Sequence, residues 1–142
     1  MRLVIDANVF FAAFLWERSD IRKLILSHHL ELFSPEWLLE EFDRNQDRLM
    51  KKMDSKEKFL ETKSLLLSFI KVLPQELYAS YLPAAEKELK ENKKDVPYIA
   101  ISLFLQAPLW SNDQNLKKKQ KLVSVLSVAE LFELLEKQNL LH

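Results

Sequence analysis

Glycine and cysteine are both missing from the 142-residue chain. The lack of glycine excludes several chemistries at once. A GxxxxGK phosphate loop, a GxGxxG dinucleotide turn and a GxSxG nucleophile elbow each need glycine where backbone turns tightly or meets a ligand. NTP-binding and Rossmann cofactor readings lose their support with them. Helix ends must use Asn or another residue in place of a left-handed glycine. The lack of cysteine removes disulfides, thiolate nucleophiles and cysteine-based zinc sites, and it fits a reducing cytoplasm. Histidine gives no zinc set either: His28 and His29 are adjacent, and His142 is the last residue.

Net charge is absent too, because 21 Lys and Arg balance 21 Asp and Glu. Nucleic-acid binders are usually basic overall. The balance argues against a protein that coats DNA non-specifically, and leaves room for an enzyme that touches only a few phosphates. No long apolar run is present. The longest, Val96 to Trp110, is broken by Pro97, Ser102, Gln106 and Pro108 and is too short to span a membrane. Met1-Arg2-Leu3 runs straight into strand-like sequence, without a signal-peptide pattern. The expectation is a cytoplasmic protein with no membrane association. A chain of this length can bury about two-thirds of its unfolded surface. Residues 1–142 are therefore expected to form one domain, with no repeat or linker.

Apolar runs alternate with amphipathic or buried helical patterns. Leu3-Val4-Ile5 reads as a strand buried on both faces. Val9 to Trp16 follows as a buried helix, and Ile21 to His29 as a second helix capped by Ser19 or Asp20. Glu31 to Phe33 is a second strand. Ser34-Pro35 starts a helix to about Leu49, with Ser at the cap and Pro at the first helical position. A further helix spans Ser55 to Ser68, with Asp54 and Glu57 as its capping box. Phe69 to Leu73 is a third strand, 83–90 a short helix and 95–106 an apolar helix. Pro108 to Ser111 is a fourth strand, followed by a polar turn, Asn112 to Asn115. Lys121 to Leu126 is a fifth strand, and Ser127-x-x-Glu130 is a capping box that opens a last helix. Such alternation predicts a parallel sheet covered by helices on both faces.

Four carboxylates stand out. Asp6 ends the first strand, where open parallel sheets bind ligands, and it also suits a turn; Asn8 has the same double reading. Helical phase separates Glu40 from Glu41 at about 100° per residue. With Leu38 at zero, Phe42 falls near 40° and Leu49 near 20°, so these define the core face at roughly 3.6 residues per turn. Glu41 flanks that face, with Asn45 and Arg48 on its side; Glu40 points away. Asp95 opens the apolar helix, whose polar stripe is completed by Ser102 and Gln106. Asp95 also suits a helix cap. Asp113 follows the fourth strand as Asp6 follows the first, in a segment that also suits a turn. Four clustered carboxylates cannot all ionise without a cation. Oxygen ligands in this number suit Mg2+ or Mn2+.

In order and spacing, four segments resemble the PIN domain family: Val4-Ile5-Asp6-Ala7-Asn8-Val9, Ser34-Pro35 through Glu40-Glu41-Phe42, Lys94-Asp95-Val96-Pro97-Tyr98-Ile99-Ala100, and Leu109-Trp110-Ser111-Asn112-Asp113. PIN domains are small metal-dependent ribonucleases, many of them toxins of VapBC toxin–antitoxin pairs. The resemblance implies a three-layer α/β/α sandwich around a parallel sheet of four to five strands, ordered 3-2-1-4-5. It places metal ligands at Asp6, Glu41, Asp95 and Asp113, with Asn8, Ser111 and Asn112 as supporting polar groups. It departs from the family at Asn92, where related members often carry a further acid, so metal affinity can differ.

The implied activity is hydrolysis of phosphodiesters in single-stranded or structured RNA, using one or two Mg2+ or Mn2+ ions to activate and orient water. It implies an antitoxin partner and a tendency to dimerise. Lys117, Lys118, Lys119 and Lys121 offer charge for phosphates, as does the stretch around Arg48; the lysines equally suit a solvated loop. Two rivals stand beside this reading. One is a catalytically silent PIN-like module that binds RNA or protein. The other is a phosphatase of the haloacid dehalogenase type, which wants a second Asp where this chain has Asn8. The phase assignment is testable by nuclease assay. Glu41→Gln is expected to lose activity and Glu40→Gln to keep it; the reverse outcome would overturn the assignment.

Overall fold

The computed structural model describes residues 1–15 and 19–139. Five strands, β1 (Arg2–Ile5), β2 (Glu31–Pro35), β3 (Ile70–Leu73), β4 (Leu109–Trp110) and β5 (Val125–Leu126), form one parallel sheet in the order β3-β2-β1-β4-β5. In central β1, Leu3, Val4 and Ile5 are wholly buried, as a strand covered on both faces requires. Val4 pairs with Phe33 of β2 and Leu109 of β4, and Ile5 with Trp110. The chain lays β2 and β3 on one side of β1, then crosses over to lay β4 and β5 on the other. The C-terminal ends of β1 and β4 therefore flank the point where strand order reverses, the usual ligand crevice of an open α/β sheet.

Nine helices of four residues or more flank the sheet among the described residues: α1 (Ala7–Leu15), α2 (Asp20–Ile25), α3 (Trp37–Lys51), α4 (Lys56–Leu67), α5 (Gln75–Tyr78), α6 (Leu82–Glu88), α7 (Val96–Leu105), α8 (Gln114–Lys119) and α9 (Val128–Lys137). The result is the expected three-layer sandwich. Two of these helices position the site. α7 is apolar nearly all round and packs against β1, β2 and β4. α3 is held by an aromatic cluster: the Phe42 ring lies 5.7 Å from Phe10, 5.3 Å from Phe14 and 5.8 Å from Phe59. Such ring pairs each add about 0.5–1.5 kcal/mol beyond area burial. They lock α3 to α1 and α4, and so fix the residue before Phe42.

Local starts and stops differ from the sequence expectations in several places. Ser34 and Pro35 belong to β2, not to a helix start. The Ser34 hydroxyl donates to the Ile5 carbonyl at 3.1 Å, and Pro35 pairs in register with Leu73. α3 opens two residues later, behind Glu36. α4 is capped by Ser55, which accepts from the Lys58 N–H at 3.0 Å, rather than by Asp54. α2 ends at Ile25, short of His29. The supposed turn after β4 is the start of α8. β5 is shorter than expected because the Gln120 side chain bonds both the N–H and the carbonyl of Val123, 3.0 Å each, closing a turn over 120–123. Trp16, expected to end the first helix, and His142 lie outside the described residues. The Ser127–Glu130 capping box is present, with both of its bonds formed.

Without glycine, left-handed helix ends fall on other residues. Gln106, after α7, has φ 53°, and Asn139, after α9, has φ 55°. Asn tolerates this region; Gln has no such aptitude. Gln106→Gly is expected to stabilise the protein by about 0.5–1 kcal/mol. That is a Tm increase of about 2–4 °C, read by thermal denaturation. A lower Tm would refute strain at this position.

Candidate functional site

Asp6 leaves β1 at the switch point and caps α1: its Oδ1 accepts the Val9 N–H at 2.9 Å. The turn and site readings of this residue are thus compatible, since capping occupies one oxygen of two. The carboxylate is only 5% exposed. Burial, the dominant effect, pushes its pKa up from 3.8 to about 6; hydrogen bonds from Ser111 and Val9 oppose the rise, and the charges of Asp95 and Glu41 add to it.

Around it lies a crevice of about 210 Å³, lined by Asp6, Ala7, Asn8, Phe11, Glu41, Asn45, Arg48, Lys94, Asp95 and Tyr98. Glu41 enters from α3, half-buried, while its neighbour Glu40 is exposed. Burial raises its pKa most. The Tyr98 hydroxyl, which donates to Glu41 Oε1 at 2.8 Å, pulls it down; Asp95 adds to the rise, and Lys94 and Arg44 oppose it. Asp95 stands at the N-cap position of α7. Its pKa is raised by burial first and by the charge of Asp113 second, against Lys119 and Lys94.

The remaining sequence candidates divide. Asp113 does not line the crevice among the described residues, although Asp95 feels its charge; it caps α8, accepting the Asn115 N–H at 3.0 Å. Ser111 is buried and joins the two: it bonds Asp6 and accepts the Asp113 N–H at 3.2 Å. Asn112 faces the last helix, its Oδ1 accepting the Val128 N–H at 3.0 Å. Arg48 lines the crevice as expected. Lys117 does not stand free for phosphate, because it is ion-paired with Glu130 across from α8. Lys118 is exposed and does not line the crevice, whereas Lys119 reaches Asp95 through its charge. Ser102 is buried in α7, with no hydrogen-bond partner for its hydroxyl among the described residues, and neither it nor Gln106, the rest of the expected polar stripe, lines the crevice with Asp95.

Two crevice residues were missed as functional groups in the sequence. Lys94 was legible as the cation beside Asp95. Tyr98 belongs by its ring to the apolar pattern of α7, which hides the hydroxyl, a polar tip one turn beyond Asp95. A larger cavity, about 690 Å³, opens at the opposite end of the sheet among Met1, Ser102, Pro108 and Leu126, and among the described residues no charged side chain lines it. The titratable chemistry is in the smaller crevice.

Three carboxylates and the Asn8 amide present oxygen only, the chemistry of Mg2+ or Mn2+ rather than zinc. Among the described residues, no three His, Asp or Glu side chains are gathered closely enough to form a ready-made cage. A hard ion that keeps several waters needs only one or two direct carboxylates, and the crevice fits it in that form.

An open parallel sheet with an acid-lined crevice at its switch point defines an α/β protein whose chemistry is that of clustered carboxylates. The PIN domain family model matches residues 4–131, and the chain belongs to that family. Fifteen chains of solved structures are similar to it. One is a chain of the crystal structure of VapBC2 from Rickettsia felis bound to a DNA fragment from their promoter. It matches with a TM-score of 0.68 at 15% identity, over 89% of this chain and 98% of that one. At that identity the likeness is one of fold. Among curated proteins, none matches the chain.

The burial of Asp6 has a consequence for stability. Unfolded, the group loses its proton near 3.8; folded, it keeps it to about 6. Between those values the folded state binds more protons, so this contribution to stability falls as pH rises and is lowest above about 6. The full difference is on the order of 3 kcal/mol. Asp6→Asn keeps the acceptor for Val9 and removes the charge. In chelator, it is expected to melt several degrees above wild type at pH 7.5, with the gap closing toward pH 4. Thermal melts across that range check this, and a lower Tm for the variant at pH 7.5 would refute it.

Proposed function

We propose that this protein is a divalent-metal-dependent ribonuclease that acts as the toxin of a toxin–antitoxin pair. The observation that carries the reading is the meeting of Asp6, Glu41 and Asp95 in one crevice at the switch point of a PIN domain. Arg48 and Lys94 on the same crevice supply positive charge for phosphates. The fold likeness to a VapBC2 chain supports an antitoxin partner.

Asp6 and Asp95 are the residues that would hold Mg2+ or Mn2+ directly, with Glu41 on the crevice and Asp113 behind Asp95 adding to the site's affinity for the ion. A bound ion of this kind supplies Lewis acidity toward a phosphodiester and lowers the pKa of water. The chain's own groups do the rest. Val9 N–H and Ser111 keep Asp6 in place from two sides. Glu41, tied at one oxygen by Tyr98 and without a hydrogen-bond partner at the other among the described residues, takes the proton from the attacking water. Asn8, exposed at the crevice, offers hydrogen bonds to ribose or phosphate. Lys94 and Arg48 align the strand by its backbone, leaving sequence choice to other contacts. Cleavage would leave 5′-phosphate and 3′-hydroxyl ends.

Incubation with single-stranded RNA is expected to give cleavage that needs Mn2+ or Mg2+ and stops with EDTA. Asp95→Asn is expected to abolish it without loss of fold. Cleavage indifferent to EDTA would refute the metal dependence. Binding of RNA without cleavage would favour a silent module, and hydrolysis of small phosphate esters with RNA untouched would favour a phosphatase.

A further inference from the structure

Tyr98 is not an acid, yet it is built into the acidic crevice. Its side chain is 2% exposed, and its hydroxyl meets Glu41 Oε1 at 2.8 Å. It follows Asp95 by one helical turn, so both lie on one face of α7. That face thus delivers a carboxylate and, beside it, a donor that grips the carboxylate of the facing helix α3. A Glu side chain on a helix has three rotatable bonds and is free to swing toward solvent. Its neighbours do not restrain it in the same way. Asn45, one turn along α3, spends its amide on the Glu41 backbone carbonyl at 2.7 Å, not on the carboxylate. Lys94 and Arg44 act on Glu41 through charge, which has little direction. The Tyr98 bond is directional and charge-assisted.

We propose that Tyr98 is a positioning residue for the proposed reaction. Its hydroxyl pins Glu41 Oε1 against α7 and leaves Oε2 as the oxygen available to the crevice. The inference rests on the reading of the crevice as a divalent-cation site. Tyr98→Phe keeps the buried ring and deletes only the donor. By titration calorimetry it is expected to bind Mn2+ about 10- to 100-fold more weakly than wild type. On RNA, kcat is expected to fall with KM unchanged.

Because Tyr98 acts through Glu41, the double variant with Glu41→Gln is expected to bind Mn2+ no more weakly than Glu41→Gln alone. Full additivity would overturn the inference, as would wild-type affinity in Tyr98→Phe. Wild-type protein that takes up no Mn2+ would overturn the proposed function and this inference together. One readout needs neither metal nor substitution. In the metal-free wild type, the Tyr98 hydroxyl proton is expected as a slowly exchanging, downfield NMR signal with a nuclear Overhauser contact to Glu41. Its absence overturns the inference even where Tyr98→Phe fails to fold.

Discussion

The withdrawal of neighbouring carboxylates from water sets the terms for this molecule. Burial raises the pKa of Asp6, Glu41 and Asp95 alike, and neighbouring acids raise each further. Left alone, such a group would spread or protonate. The fold opposes this with a hydrogen bond or a positive charge on each acid: the Val9 N–H and Ser111 on Asp6, the Tyr98 hydroxyl on Glu41, and Lys94 and Lys119 near Asp95. Residues so far apart in sequence meet at a sheet's switch point because each βα connection ends there. The pairing of Ile5 with Trp110 is therefore as much a part of the site as any acid, since it brings Ser111 to Asp6.

A group under electrostatic strain needs stiff support. The support here is apolar and lies one layer behind the acids. Phe42, next to Glu41, is buried among four other phenylalanine rings, and the residues after Asp95 form a helix buried along most of its length. Each acid thus sits at the edge of a packed element rather than on a free loop. The absence of glycine is consistent with this design. It gives up permissive backbone everywhere, and the cost surfaces where geometry demands a left-handed residue, at Gln106 beyond the far end of α7 from the acids.

The sheet and its strand order were legible because a strand buried on both faces has a plain signature, as in Leu3-Val4-Ile5, and because the four short motifs fall in family order. Glu41 could be told from Glu40 because helical phase is a strong constraint once Leu38, Phe42 and Leu49 mark the core. What escaped were features decided by tertiary partners. Ser34 looks like a cap, but the Ile5 carbonyl claims its hydroxyl. Lys117 looks free in a run of lysines, but Glu130, 13 residues on, neutralises it. Gln120 and Val123 look like strand, but one side chain folds them into a turn. Tyr98 illustrates a different failure. A binary division into apolar and polar places the ring correctly and discards the hydroxyl, which is the part that touches the site.

The charge balance acquires a meaning at this scale. A protein with no net charge has no long-range field to hold a polyanion, so any grip on nucleic acid must come from the few cations that face the crevice. With Lys117 paired away, these are Lys94 and Arg48 on its lining and Lys119 near Asp95. The same cations already offset the acids: Lys94 lowers the pKa of both Glu41 and Asp95. A phosphate bound there would compete with the carboxylates for one ammonium group. Under the proposed function, Asp6 and Asp95 would hold the divalent ion, whose charge would offset the carboxylates in place of Lys94 and leave that ammonium group to the phosphate. Metal and substrate binding would then reinforce one another through a shared cation, without any movement of the backbone.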